Sequence, residues 1–150
     1  MISKEIRHSF FINAPVDTIA DALMEERHIQ NWWTKEALIK DGKGTLGWSG
    51  YGWEVELQMT RGDVLSPVVW KCLRSNMQNT NAWEGTTITF ALVPQGTGTQ
   101  IDFSQAGYRE SPCYEVCNQG WAFFVGISLK QYIEMGKGIP YPEMQDTSKA

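Results

Sequence analysis

The chain predicts an α+β fold in which helices gather on one side of an antiparallel sheet, and three observations carry that prediction. KEIRHSFFIN (residues 4–13) and WEVELQMT (53–60) alternate apolar and polar side chains with a period of two, the mark of strands with one wet face. TTITFALV and TQIDFSQ are joined by PQGTG, whose glycines suit a tight hairpin. The stretch CYEVCNQGWAFFVGISLKQYIEMGKG (113–138) has helical periodicity and is apolar around most of its circumference.

In order, the first strand places Ile6, His8, Phe10 and Ile12 on one face and ends at Ala14-Pro15. Pro15 suits the first turn of a helix, and Val16, Ile19, Ala20 and Leu23 follow at helical spacing. A second short helix is expected over 25–33, EERHIQNWW, with its acidic start at the positive end of the helix dipole. From 36 to about 107 the pattern is strands and turns. Trp53, Val55, Leu57 and Met59 share a face, and Arg61-Gly62-Asp63 marks a turn. Val68, Trp70 and Cys72 share the next, and Ile88, Phe90 and Leu92, then Ile101 and Phe103, continue the apolar side. The last helix opens with Ser111-Pro112, a good N-cap followed by a tolerated proline, and closes near Gly136.

On a helical wheel Glu115, Asn118, Gln119, Ala122, Gly126 and Lys130 form the only stripe suited to solvent. Cys113, Cys117, Gly120, Trp121, Phe124 and Ser128 lie opposite, flanked by Val116, Phe123 and Ile127 on one side and by Tyr114, Val125, Leu129 and Tyr132 on the other. A helix with so wide an apolar arc fits the concavity of a strongly curved sheet. Gly120 and Ser128, small residues in the middle of that arc, either admit close backbone packing or leave room.

With 150 residues the chain has the size of one domain, 1–150, with one core. A net charge of −4 argues against binding nucleic acid through its phosphates. No segment approaches the roughly 20 apolar residues of a membrane span, and MISKEIRHSFFINAPV lacks the pattern of a cleaved leader, so a cytoplasmic location is expected. Three cysteines, an odd number, agree with a reducing compartment. Seven Trp, five Tyr and six Phe are many for this length, and such residues line both ordinary cores and cavities that hold organic ligands.

WEGTTITFALVPQGTGTQIDFSQAGY and the terminal GWAFFVGISLKQYIEMGKGIPY, together with INAPVDTIADAL and the pair Trp32-Trp33, resemble the START-like (SRPBCC) superfamily. Within it the chain is similar to domains homologous to the activator of heat shock protein 90 ATPase. The resemblance covers nearly the whole chain and implies a helix-grip fold: a curved antiparallel sheet around a long C-terminal helix, with two short helices after the first strand. Members bind hydrophobic ligands between sheet and helix, some are polyketide cyclases or hydrolases, and some act through protein partners. The positions matching the cavity-facing pattern are Trp53, Val55, Trp70, Cys72, Phe90 and Phe103 on strands, and Trp121, Phe124, Val125 and Ser128 on the long helix. Trp32 and Trp33 match the mouth.

No constellation of catalytic type stands out. Cys113 and Cys117 are four apart on one helical face, but with only His8 and His28 in the chain they lack partners for a metal. GWSGYG has Tyr51 where a nucleophile elbow needs glycine, and reads as a turn. Glu54, Glu56 and Asp102 fall on the wet faces, and His28 is expected at the surface. The sequence therefore predicts no catalytic residue, metal or cofactor, and a non-catalytic receptor for a hydrophobic or aromatic small molecule. An enzyme using His8, Cys72, Ser128 or Tyr132 in the same cavity is the alternative, and a protein-interaction module presenting Trp83 in an exposed loop is the third reading. The resemblance leaves open a chaperone partner and a homodimer.

Overall fold

The structure is a computed structural model that describes residues 3–61, 67–109 and 114–143. Part of the turn expected at Arg61-Gly62-Asp63, the cap expected at Ser111-Pro112, and Cys113 lie outside the described residues. Strand β1 (Ser3–Ile12) leads into helices α1 (Val16–Met24) and α2 (Glu26–Trp32). Strands β2 (Glu36–Lys40), β3 (Lys43–Trp48), β4 (Trp53–Arg61), β5 (Val68–Ser75), β6 (Thr87–Gln95) and β7 (Gly98–Arg109) follow. The chain then forms one long helical rod, built of α3 (Tyr114–Phe123), a π-helical turn (Phe124–Leu129) and α4 (Lys130–Met135). The α+β class and the order of elements are as the sequence predicts.

All seven strands form one curved antiparallel sheet in the order β1-β7-β6-β5-β4-β3-β2. The period-two alternation sets its inner face: Ile6, Ile12, Val55, Leu57, Trp70, Ile88, Phe90 and Ile101 are buried. Of the two glycines in PQGTG, Gly96 takes the positive φ, 61°. Gly98 is required for another reason, since a Cβ there would meet the Phe11 ring and the Ile12 carbonyl.

Helix α1 has no basic residue in its last turn and no side-chain N-cap. Its exposed carbonyl end is answered from the core instead: Trp32 Nε1 donates to Ala22 O at 2.8 Å and Trp70 Nε1 to Leu23 O at 3.1 Å. These two indoles fix α1 and α2 against the sheet.

The long rod is buried over a narrower arc than the wheel predicts. Cys117, Trp121, Val125, Ser128 and Leu129 are buried, but Val116 and Ile127 are about half exposed, each at 51%. For Ile127, which lies within it, the physical reason is the π turn. An α-helix advances past a fixed line every 3.6 residues, whereas a turn with i to i+5 bonding accommodates an extra residue and so widens the spacing of inward-facing positions within it. Val125 and Leu129, expected on the flank, thereby become fully buried, and Phe124 rotates to a half-buried position. Gly126, expected in the solvent stripe, instead lets the rod approach β1, because a Cβ there would stand 2.8 Å from the Phe10 ring.

Among the described residues no helix is long and apolar enough to cross a membrane.

Candidate functional site

The space between sheet and rod is filled in the middle and open at one end. The filling is aromatic: Trp33 lies 5.2 Å from Trp70 and 5.4 Å from Trp121, Trp121 lies 4.8 Å from Phe103, and Trp70 lies 4.6 Å from Phe90, all between ring centroids. Offset and edge contacts of this kind hold rings at fixed angles. Beyond this plug lies a cavity of about 400 Å³. Its lining comes from four places: Trp33 at the end of α2, Trp48, Tyr51 and Trp53 around the β3–β4 turn, Met77, Gln78 and Trp83 in the β5–β6 loop, and Val116, Cys117, Gly120, Trp121 and Phe124 on the rod. Tyr51 at 41% exposure and Val116 at 51% mark its mouth.

Each wall has a local cause. The β3–β4 turn is pinned by Gly50 N donating to Tyr141 Oη at 2.6 Å, and Tyr141 is itself held by its backbone N–H to Trp33 O at 2.8 Å. Tyr51 stacks flat on Trp53, with centroids 4.4 Å apart and planes 12° apart. The β5–β6 loop is tied to β4 by Asn76, whose Oδ1 accepts from Glu54 N at 2.7 Å and whose Nδ2 donates to Gly52 O at 3.0 Å. It turns through left-handed backbone at Gln78 (φ 58°) and Asn79 (φ 61°). For a non-glycine such as Gln78 that conformation costs roughly 1–2 kcal/mol, and strain of this kind concentrates at ligand-binding positions. Trp83 then folds inward and stacks on Trp121 at 5.4 Å and 16°.

A polar chain locks loop, sheet and rod together. Trp121 Nε1 donates to Gln105 Oε1 at 2.9 Å, Gln105 Nε2 to Thr86 Oγ1 at 3.1 Å, and Thr86 Oγ1 to Trp83 O at 2.7 Å. On the rod, Gly120 provides the room: an added Cβ would meet nothing within 4 Å. Ser128, the other small residue of the arc, does the opposite, accepting from Ile139 N at 2.8 Å and donating to Trp32 O at 2.7 Å, so it ties the C-terminal segment to α2.

Of the residues expected from sequence to contact a ligand, Trp33, Trp53, Trp121 and Phe124 line the cavity. Trp32 and Trp70 do not, because their indoles cap α1. Phe90 and Phe103 are part of the aromatic plug, Val55, Cys72 and Val125 are buried as expected but do not line the cavity, and Ser128 is spent on its two hydrogen bonds. Sequence reasoning missed Trp48, at the end of β3, and Tyr51, Met77, Gln78 and Trp83, which lie between strands where periodicity gives no facing. The signal that could have found them was the concentration of aromatic residues in GWSGYGW and NAWEG, segments otherwise composed like solvent-facing turns.

Trp83 is only 4% exposed, so the loop does not present it as a surface patch, and that expectation is corrected. His28, expected at the surface, is half-buried against Tyr132, its Nδ1 lying 2.6 Å from the Tyr132 hydroxyl. His8 Nε2 lies 3.1 Å from Asn118 O and its ring is stacked on Phe10, outside the cavity lining. Burial, helped by the nearby Glu84 carboxylate, pushes the Cys72 thiol up to about 12, which leaves it a neutral core side chain at ordinary pH. The four residues considered for catalysis, His8, Cys72, Ser128 and Tyr132, therefore do not converge in the cavity. Among the described residues no group of three His, Cys, Asp or Glu side chains could hold a metal ion.

Two tryptophans of the lining carry ring nitrogens that are themselves shut off from the open space. Among buried side-chain nitrogens and oxygens of the described residues, Trp53 Nε1 and Trp83 Nε1 have no hydrogen-bond partner in the protein. An unmet buried donor costs about 1–3 kcal/mol.

Comparison with known proteins bears on the fold and the family. The solution structure of the Aha1 dimer from Colwellia psychrerythraea is 26% identical, matches 92% of this chain and 100% of that one, and superposes with a TM-score of 0.76. A crystal structure of a protein from Staphylococcus saprophyticus is 18% identical over 91% of this chain and 96% of its own, with a TM-score of 0.68. DynU16, from the dynemicin biosynthetic locus, is 17% identical over 89% of this chain and 48% of its own, with a TM-score of 0.64. At these lower identities the last two bear on the fold alone. A comparison with curated proteins found no match. The model of the family described as activator of Hsp90 ATPase homolog 1-like proteins matches residues 13–134, from the end of β1 to the last turn of the rod, and the chain belongs to that family.

Proposed function

We propose that the protein is a non-catalytic receptor that takes a hydrophobic aromatic small molecule into the cavity between the β3–β4 turn, the β5–β6 loop and the rod. The observation that carries this reading is a space of about 400 Å³ walled by five tryptophans, with the bare backbone of Gly120 at its edge. That volume lies at the lower end of the roughly 300–1,000 Å³ found for small-molecule sites, and the largely apolar lining with few polar groups is typical of them. The absence of a base beside a nucleophile in the cavity lining favours binding over catalysis of the cyclase or hydrolase type.

Titration with the neutral aromatic dye N-phenyl-1-naphthylamine tests the reading. Saturable binding with quenched tryptophan emission is expected, lost when Gly120→Leu fills the space without lowering the melting temperature. Absence of saturable binding to the parent protein would remove the receptor reading.

Self-association is a second reading. The half-exposed Val116 and Ile127 on the rod favour it, and the similar Colwellia structure is described as a dimer. Sedimentation across a concentration range, with Ile127→Glu as the disrupting variant, distinguishes monomer from dimer.

A further inference from the structure

We propose that the cavity takes uncharged aromatic molecules end-on, rings inward and a hydrogen-bonding substituent at the mouth, where the Gln78 carboxamide and the Tyr51 hydroxyl meet it. The inference rests on the receptor reading above and specifies its ligand class and orientation.

Away from the mouth the wall is mostly ring surface. The indole nitrogens of Trp53 and Trp83 are shut off from the open space, so these two side chains offer a ligand carbon faces and edges rather than donors. Trp83 lies nearly parallel to Trp121, within 16°, and flat conjugated rings cover such surfaces by offset stacking. Absence of charge follows from the lining, which contains no Lys, Arg, His, Asp or Glu. An ion held there would lose hydration with no counter-charge to replace it.

The polar end follows from how the chain treats its carboxamides and phenols around the cavity. Asn76 is spent on Glu54 N and Gly52 O, Gln105 on Trp121 and Thr86, and the Tyr141 hydroxyl on Gly50 N. Gln78 and Tyr51 carry the same chemistry and line the cavity, yet their side chains make no hydrogen bond to another described residue. Both stay open to solvent, Gln78 half-buried and Tyr51 exposed at the mouth. They also lie on joined segments: Asn76, two residues before Gln78, bonds to Gly52, the neighbour of Tyr51. Gln78 is moreover held in left-handed backbone, φ 58°, a conformation that Gly or Asn adopts more readily. A longer carboxamide kept there at a cost is accounted for by contact with a ligand. Carboxamide and hydroxyl each donate and accept, so together they suit an amide, ketone or phenol carried on an aromatic ring.

The test compares naphthalene, 2-naphthamide and 2-naphthoate by calorimetric titration of the intact protein at neutral pH. 2-Naphthamide is expected to bind at least as tightly as naphthalene, although water holds its amide well, because Gln78 and Tyr51 replace that water. 2-Naphthoate, of nearly the same shape but charged, is expected to bind about tenfold more weakly than the amide. In Gln78→Met, which keeps the length of the side chain and removes the carboxamide, the affinity ratio of 2-naphthamide to naphthalene is expected to fall about fivefold, the effect of one hydrogen bond. Tyr51→Phe, which keeps the ring over Trp53, is expected to lower the same ratio about twofold. Naphthalene binding tenfold more tightly than the amide, naphthoate binding as tightly as the amide, or a ratio unmoved by both variants overturns the orientation proposal and leaves the receptor reading standing. Failure of all three probes to bind overturns the two together.

Discussion

Trp83 and Trp121 stack with their planes 16° apart, joining a surface loop to the long rod across the end of the sheet. Trp121 also donates to Gln105, so one side chain couples the loop, β7 and the rod. Trp121→Ala removes a large buried ring and leaves Gln105 Oε1 without its donor. A loss of about 3–5 kcal/mol is expected, in the range measured for buried aromatics cut to alanine. Urea unfolding checks it through a lowered midpoint at an unchanged slope.

Gly120 and Gly126 are six residues apart on the same rod and should respond oppositely to a methyl group. At Gly120 a Cβ meets nothing, so Gly120→Ala should stabilise by about 0.5–1 kcal/mol through helix propensity alone. At Gly126 the same group would press on the Phe10 ring at 2.8 Å, and Gly126→Ala should destabilise by roughly 1–3 kcal/mol. Melting temperatures that move in the same direction for the two variants would contradict the packing described.

Ser128→Ala deletes both the donor to Trp32 O and the acceptor for Ile139 N. Both partners lie in half-buried or buried surroundings, and a cost of about 1–3 kcal/mol is expected. Because Ser128 does not line the cavity, the affinity for N-phenyl-1-naphthylamine should stay unchanged in the folded variant, which dye titration reads directly.

Glu134 carries a pH dependence. The Lys130 ammonium bonded to its carboxylate, and then the Asn13 N–H, hold its pKa below the ordinary carboxylate value. A depressed folded-state pKa stabilises the fold above the unfolded value, and that contribution is lost as pH falls through the folded one. Glu134→Gln should therefore lower stability at neutral pH by about 1 kcal/mol or less, given the partly exposed pair. The difference from the parent protein should vanish in acid, as thermal unfolding at several pH values would reveal.

Cys72, with its thiol pushed up to about 12 by burial, should resist iodoacetamide at pH 8 in the folded protein and react once the chain is unfolded in urea. Mass spectrometry of the peptide containing Cys72 reads both states.

The sheet was legible because its strands obey a strict period of two: Val55, Leu57, Trp70, Phe90 and Ile101 all fall inward as the alternation requires. The site was legible only in part. Facing does not distinguish an inward residue that touches a void from one that touches other residues, and Trp32, Trp70 and Phe90 lie in the middle where the indoles close on one another. Much of the rest of the wall comes from the segments between strands, where Tyr51 and Trp83 are aimed by backbone geometry and long-range hydrogen bonds with no periodic signature. The rod misled for a different reason. A wheel drawn at 3.6 residues per turn has no place for the π turn, within which Val125 and Leu129 are fully buried, Phe124 is half-buried and Ile127 is half exposed.

That same turn makes the rod tolerant of a change in length. It houses one residue more than an α-helix of equal rise, and Ile127 within it looks outward. Excising a single residue from an ordinary helix swings everything downstream through about 100°. Excising Ile127 would let the rod close as continuous α-helix with Trp121 and Leu129 still turned toward the sheet. Homologous chains one residue shorter at this point can therefore keep the same architecture, and the indel would register chiefly in how Phe124 meets the adjoining void.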